Sequence, residues 1–342
     1  MLARVTWVIE PLDVSSDAAV EAFHTARNRA EEHDFAYHTS YSLQETIAML
    51  RSPQHAARRV LRQALSDGQV VGVAAAMLPL LDNTSTADVG IAVVPEARRH
   101  GIGTALLESL LSEARSAHRS RAIAWLQWPY DASRDGSGSP GMQFAAASGF
   151  HVSQLEVQRI LDLPVPVDVL DDLERQAADH HAGYTFRTWA GAAPQEVLPG
   201  YGRLVGAVET EAPTGEHVPE VEVWDERRIR EQEEELEQQG RTRITTLALS
   251  PDGEPVGYTD LVYAATDGGR VYQWGTLVDR AHRGHRLGMA LKVRTARAMQ
   301  EAFPHAAYVR TWNAESNAPM IAVNDAMGFR PVGWAAELYR DV

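Results

Sequence analysis

Two stretches of the chain decide its fold: Asp88-Val-Gly-Ile-Ala-Val-Val-Pro-Glu-Ala-Arg-Arg-His-Gly-Ile-Gly-Thr-Ala-Leu-Leu107 and Tyr272-Gln-Trp-Gly-Thr-Leu-Val-Asp-Arg-Ala-His-Arg-Gly-His-Arg-Leu-Gly-Met-Ala-Leu291. In each, a strand-like run meets Pro or Asp, then a cluster of Arg, His and Gly, then apolar residues at helical spacing. A Gly-Phe pair follows each stretch, Gly149-Phe150 and Gly328-Phe329. The offsets nearly agree, 283 − 98 = 185 at the arginine and 328 − 149 = 179 at the glycine. A pattern repeated at one offset is the mark of tandem duplication.

Working outward, Leu106, Leu107, Leu110, Leu111 and Ala114 fall on one helical face, with Glu108, Glu113 and Arg115 between them. Turn signals at Ser66-Asp67-Gly68 and Ser250-Pro251-Asp252-Gly253 introduce strand-like runs at 69–77 and 254–262. Further strands are expected at 121–127 and 306–312. The fold class is α/β (α+β in detail): two tandem domains, each a mixed, mostly antiparallel sheet flanked by helices. At 342 residues the chain exceeds one ordinary core, given a prior of about 150 residues per domain. The expected division is an N-terminal domain over 1–165, a linker helix over 166–182 and a C-terminal domain over 183–342. The Glu/Gln/Arg-rich stretch 227–240 reads as a solvated helix with i,i+4 charge pairs.

Composition bounds the function. A formal net charge of −14 argues against a nucleic-acid partner and suits a cationic substrate. With no cysteine, there is neither a thiolate nucleophile nor a Cys-ligated zinc site. Glu10 and Asp13 interrupt the N-terminal apolar stretch, and the longest apolar run, 70–81, is broken by Pro79 and is shorter than the roughly 20 residues that span a bilayer. A cytoplasmic protein without a membrane segment is expected. The histidines show no convergent ligand spacing, so no metal is expected.

The Arg98-Arg99-His100-Gly101-Ile102-Gly103 turn lies where a strand passes into a helix. Its glycines allow a ligand close to the backbone while the first helical N–H groups point outward, an arrangement that cradles phosphate. It is neither Gly-x-Gly-x-x-Gly nor a P-loop, which leaves an acyl-CoA pyrophosphate. The pattern Arg/Gln-x-x-Gly-x-Gly/Ala after a strand ending in Val-x-Pro resembles the acetyl-CoA motif of the GNAT N-acetyltransferase superfamily. The second copy, Arg283-Gly284-His285-Arg286-Leu287-Gly288, departs from it at Arg286, where the family usually has Gly. Asn317, eleven residues before Gly328, stands where the family often has an Asn against the CoA arm, and the first copy lacks it. The architecture is similar to that of tandem members such as the mycothiol synthases.

That resemblance implies acetyl-CoA or another acyl-CoA as the coenzyme. The arm would run along Ile91, Ala92 and Val93 in one copy and Thr276, Leu277 and Val278 in the other. The pyrophosphate would sit on Arg98, Arg99, His100, Gly101, Ile102, Gly103 and Thr104, or on Arg283, Gly284, His285, Arg286, Leu287, Gly288 and Met289, and Asn317 would contact the CoA arm. The first site is expected to be the weaker, vestigial one and the second domain the catalyst. The Tyr that many family members use as acid, four residues before the Gly of Gly-Phe, is replaced by Ala145 and Asn324.

Amine acetylation also needs a base, usually a carboxylate. The candidates are Glu220 and Glu222, which share a face if extended, with Tyr339 or Tyr272 as substitute acids. Glu209 and Glu211 are candidates for the substrate's positive charge. Trp128 and Trp312 are taken as corresponding strand-end residues bordering acceptor pockets. The expected function is acetyl-CoA-dependent N-acetylation of a primary amine on a small metabolite or antibiotic-like amine by a pseudo-twofold monomer. The alternatives are a protein N-terminal or lysine acetyltransferase and a non-catalytic acyl-CoA sensor.

Overall fold

A computed structural model describes residues 6–216 and 218–342; residues 1–5, assigned above to the first domain, lie outside the described residues. The elements run β1 (Val8–Pro11), α1 (Asp17–Asp34), α2 (Leu43–Arg51), β2 (Ala57–Ser66), β3 (Gln69–Pro79), β4 (Thr86–Val93), α3 (Ile102–Ser116), β5 (Arg121–Pro129), α4 (Pro140–Ala147) and β6 (His151–Asp162). There follow α5 (Val167–Ala178), β7 (Thr185–Ala190), α6 (Leu198–Glu211), α7 (Glu226–Gln238), β8 (Arg241–Leu249), β9 (Pro255–Ala264), β10 (Arg270–Val278), α8 (Leu287–Ala302), β11 (Tyr308–Ala314), α9 (Ala318–Met327) and β12 (Arg330–Asp341). No helix among the described residues is long and apolar enough to cross a membrane.

The chain forms two compact units. The first runs to Glu156 and also holds Gly215, Glu216 and Gly333–Val342; the second takes Val157–Thr214 and Val218–Val332. The strand order is β1-β2-β3-β4-β5-β12 in the first and β6-β11-β10-β9-β8-β7 in the second. Only β4–β5 and β10–β11 are parallel among the pairings seen within the units, and the rest are antiparallel. The C-terminal strand closes the first unit's sheet, pairing Gly333–Asp341 with Pro129–Arg121. β6, which follows the first Gly-Phe pair, passes from Val157 onward into the second unit. The ends of the chain's two halves are thus exchanged, an arrangement no local sequence signal encodes.

The helices are held by their apolar faces. On α3, Ile102, Leu106, Leu107, Leu110, Leu111 and Ala114 are all buried, as their spacing predicts. Each large aliphatic side chain contributes about 1.5–3 kcal/mol, far more than helix propensity can supply. The second unit's sheet is packed on both faces. Val293, Met299, Met327 and Phe329 form the core on the α8/α9 side, and Tyr201, Leu204, Ile229 and Tyr258 form it on the α6/α7 side. α7 is the charged helix expected over 227–240, with an Arg227–Glu231 pair on its exposed face.

Two glycines of α6 set the path of the segment before α7. A Cβ on Gly202 or Gly206 would overlap the carbonyl oxygens of Trp224 and Glu222. Glycine at these positions lets the backbone of 222–224 lie directly on the helix, where the Glu222 N–H donates to Gly206 O.

Candidate coenzyme cradles and acyl-transfer site

The two Arg/Gly turns fold alike down to their side chains. In the first, the Arg98 Nε donates to Val93 O at 2.9 Å and the guanidinium grips both oxygens of Asp34, at 2.7 and 2.9 Å, from the end of α1. In the second, the Arg283 Nε donates to Val278 O at 3.1 Å and reaches Glu211, at the end of α6, at 2.9 Å. Each arginine therefore ties the end of its strand to the end of a helix, α1 in the first unit and α6 in the second. Glu211 also accepts from Arg280 at 2.7 Å, and that hydrogen bond holds its carboxylate below the ordinary pKa. Arg98, Arg283 and Glu211 act as clamps of the turn. The sequence expectation places phosphate on the two arginines and substrate on Glu211; the partners that make them clamps lie 64–72 residues away.

Both turns need two left-handed residues. Arg99 (φ 66°) and Gly101 (φ 83°) supply them in the first, and Gly284 (φ 88°) and Arg286 (φ 50°) in the second. With the 185-residue offset, each copy has Gly at one of these positions and Arg at the other. The Arg286 departure therefore leaves the backbone geometry intact, at the steric cost of a left-handed non-glycine residue. Neither α3 nor α8 has a side-chain cap hydrogen bond, a lack shared with α5 and α6, whereas α1, α2, α4, α7 and α9 are capped by Ser16, Ser42, Ser139, Asp225 and Asn317. The first N–H groups of α3 and α8 and the positive end of each helix dipole suit an anion.

The cradles differ in what lies over them. A Cβ on Gly288 or Gly284 meets open space, whereas one on Gly103 meets the Phe144 ring at 3.3 Å. Around the second turn, His282 and Tyr184 share a 2.9 Å hydrogen bond, His285 donates to His180 O, and Arg286 donates to Gln176 O. Asn317 is the N-cap of α9, accepting from the Met320 N–H; Ser139 does the same for α4.

Beside each cradle the parallel strands part. β4 and β5 pair only from Thr86 to Asp88, and β10 and β11 only from Arg270 to Tyr272. Residues 91–93 and 276–278 lie beyond those points and pair only on their other side, with β3 and β9. β10 has a register shift between Gln273 and Thr276, whereas β4 runs against β3 in unbroken register from Asp88 to Val93. The irregularity is built in. The Gln273 Nε2 donates to Thr259 Oγ1, Asp260 O and Gly275 O, the Thr259 hydroxyl also reaches Gly275 O, and the Tyr258 hydroxyl fills the space a Cβ on Gly275 would need.

Beneath it, Asp260 accepts from Tyr201 at 2.8 Å and Thr245 at 2.6 Å. Burial raises the pKa of Asp260 and pushes Tyr201 and Tyr258 well above theirs. This network supports the strand from below. It carried no sequence signal beyond alternating polar residues in β8 and β9.

The predicted acids are dispersed. Glu222 is held by Trp224 Nε1 at 2.8 Å and Arg228 at 2.9 Å, while Glu220 and Glu209 are exposed. Tyr339 falls in the first unit, where its hydroxyl donates to Glu216 and that bond raises its pKa. Glu220, Glu222 and Tyr339 therefore do not all lie in one unit. Tyr272 is buried with its hydroxyl on Asp267. Strand pairing also corrects the tryptophan correspondence. Arg121 and Tyr308 begin equivalent pairings, so Trp312 matches exposed Trp125, whereas Trp128 is buried and donates to Ser133 O.

Sequence reasoning missed Lys292. It is buried on α8 and donates to Asn324, which in turn donates to Asn313. Burial brings its pKa down to about 7. Its apolar neighbours Leu291 and Val293, and Leu107 at the equivalent position of the first copy, were the available signals.

A family model described as acetyltransferase (GNAT) family matches residues 20–134 and 203–329, together more than half of the chain. No curated protein sequence matches significantly. Among solved structures, the chain resembles a tandem GNAT protein from the clavulanic acid biosynthesis pathway, at 28% identity over 98% of each chain with a TM-score of 0.77. It also resembles a GCN5-related N-acetyltransferase from Sphaerobacter thermophilus (16% identity, 98% and 95% coverage, TM-score 0.65) and the N-myristoyltransferase of Saccharomyces cerevisiae (12%, 99% and 81%, 0.59), likenesses of fold alone.

Proposed function

The chain belongs to the acetyltransferase (GNAT) family, and on that premise we propose that its second unit transfers an acetyl group from acetyl-CoA to a primary amine of a small metabolite. The observation that carries this reading is the asymmetry of the two clefts. The second combines an uncovered Gly284/Gly288 turn with a supported irregularity in β10, whereas the first has Phe144 over Gly103 and a regular β4. The likeness to a tandem protein of an antibiotic-type pathway, and the acidic charge balance, favour a small cationic acceptor over a polypeptide.

The residues present fit the coenzyme. Main-chain N–H groups of Leu287, Gly288 and Met289, with the α8 dipole, would hold the pyrophosphate, and the free edge of Thr276–Val278 would hydrogen-bond the arm. The coenzyme supplies an activated thioester. The chain's own part is to orient it, exclude water along the parted strands and draw the amine in. Glu209 and Glu220, both exposed on the second unit, are proposed for that last task, and Glu211 and Glu222 hold arginines.

The test is isothermal titration of acetyl-CoA into the wild type and the Gly103→Glu and Gly288→Glu variants, followed by turnover with an amine panel. The expected result is that Gly288→Glu removes a binding site and all transfer, while Gly103→Glu leaves transfer intact. Binding without turnover on any amine would favour a sensor, and no binding in the wild type would end the acyltransferase reading.

A further inference from the structure

The second unit contains a buried polar chain that the first unit replaces with hydrocarbon. Lys292 Nζ donates to Asn324 Oδ1 at 2.7 Å, and Asn324 Nδ2 donates to Asn313 Oδ1 at 2.5 Å. The Phe329 ring centroid lies 5.1 Å from the ammonium, and no carboxylate is paired with Lys292 among the described residues. The corresponding first-copy residues are Leu107 (292 − 185), Ala145 (324 − 179) and Leu126 (313 − 187, the offset set by Arg121 and Tyr308). Leu107 and Ala145 are buried. The fold thus has an apolar solution at all three positions. A lysine buried without a counter-charge is destabilising relative to it.

What the lysine adds is direction. In the structure Lys292 donates to the Asn324 oxygen, which leaves the Asn324 nitrogen to donate to Asn313; a protonated lysine, which only donates, fixes that direction. The Asn313 oxygen is thereby consumed, and the amide ends the chain on a donor. Asn313 lies past Arg310, the last β11 residue paired to β10, on the stretch that borders the parted strands. α8 begins at the phosphate turn and α9 begins at Asn317, so the Lys292–Asn324 bond joins the two helices that flank the coenzyme's path.

We infer, building on the acyltransferase reading of the second unit, that Lys292 is a positioning residue that orients the Asn324–Asn313 chain so that Asn313 offers an N–H to the thioester carbonyl of the acyl-CoA. This donor supplements the main-chain N–H groups of β10, and Lys292 acts on the carbonyl only through the two amides.

Two variants of the full chain test this. Asn313→Asp keeps the shape but ends the chain on an acceptor, and Lys292→Gln replaces a one-way donor with a group that serves either way. Each is titrated with acetyl-CoA and with CoA, which lacks the carbonyl, and the readout is the site that Gly288→Glu removes. Asn313→Asp is expected to weaken acetyl-CoA roughly tenfold, the worth of one hydrogen bond, while CoA changes by less than about twofold. Lys292→Gln is expected to give the same selective loss at smaller size, and it decides the matter alone if Asn313→Asp does not fold. Equal loss of both ligands, or loss of neither, overturns the inference and assigns the chain a packing role. A wild type with no site sensitive to Gly288→Glu is a separate result that removes the acyltransferase reading beneath it.

Discussion

Lys292→Met should reverse part of the pH dependence of stability. In the folded chain burial holds the ammonium's pKa at about 7, against 10.5 for an unperturbed lysine. Between those values the unfolded chain binds a proton that the folded chain does not, so unfolding free energy rises with pH by up to about 1.4 kcal/mol per unit. Below about pH 6 both states are protonated, and the penalty of burying the charge is constant and complete. Taking the difference between wild type and Lys292→Met cancels every other titrating group. That difference should be flat from pH 5 to 6 and rise by about 2 kcal/mol in favour of the wild type between pH 7 and 9. Losing the donor to Asn324 Oδ1 adds a pH-independent cost of about 1–3 kcal/mol to the variant, which offsets the curve without changing its slope. Urea unfolding at one-unit pH steps, followed by tryptophan fluorescence, gives the difference directly. A difference that stays level from pH 7 to 9 would refute the reasoning, since it would mean that Lys292 remains charged in the folded chain.

The strained turns and the irregular strand give two further outcomes. Arg99→Gly should raise stability by up to about 1 kcal/mol, the left-handed penalty less the added entropy of glycine in the unfolded chain, whereas Gly284→Ala, which meets no neighbour, should lower it by a similar amount; thermal unfolding of the two variants should therefore shift in opposite directions. Gly275→Ala drives a methyl into the Tyr258 hydroxyl and should cost about 1–3 kcal/mol by overpacking, with acetyl transfer lost beyond the stability change; an unchanged melting temperature together with unchanged turnover would contradict the role given to β10.

The turns were legible because everything they need is local. Strand, left-handed pair and amphipathic helix follow one another within 20 residues, and their repetition at one offset exposes the duplication. Partnerships that close over long separations were not legible. The grip of Arg98 on Asp34 and of Arg283 on Glu211 is such a partnership. Glu222 is a local case, its Oε2 accepting from Trp224 and Arg228, two and six residues on. Tyr339 was assigned to the second half because it is written there; β12 carries it into the first unit by pairing with β5.

Lys292 failed to stand out for a different reason. A single lysine in a helix containing two arginines reads as a solvated residue, and only its alignment with Leu107 shows that it sits on the packed face. This comparison within one chain separates what the fold requires from what a site requires. Where both copies keep a feature, as with the Arg98 and Arg283 clamps and the paired left-handed residues, the common fold accounts for it. Where one copy replaces a buried leucine and a buried alanine with lysine and asparagine, hydrophobic packing cannot be the reason, because packing was already satisfied by the other copy. The differences between the two units, at Phe144 over Gly103, at the β10 irregularity and at Lys292, all fall along the path from the Arg/Gly turn to the parted strands, and all agree with the proposal that the second unit handles the acyl group.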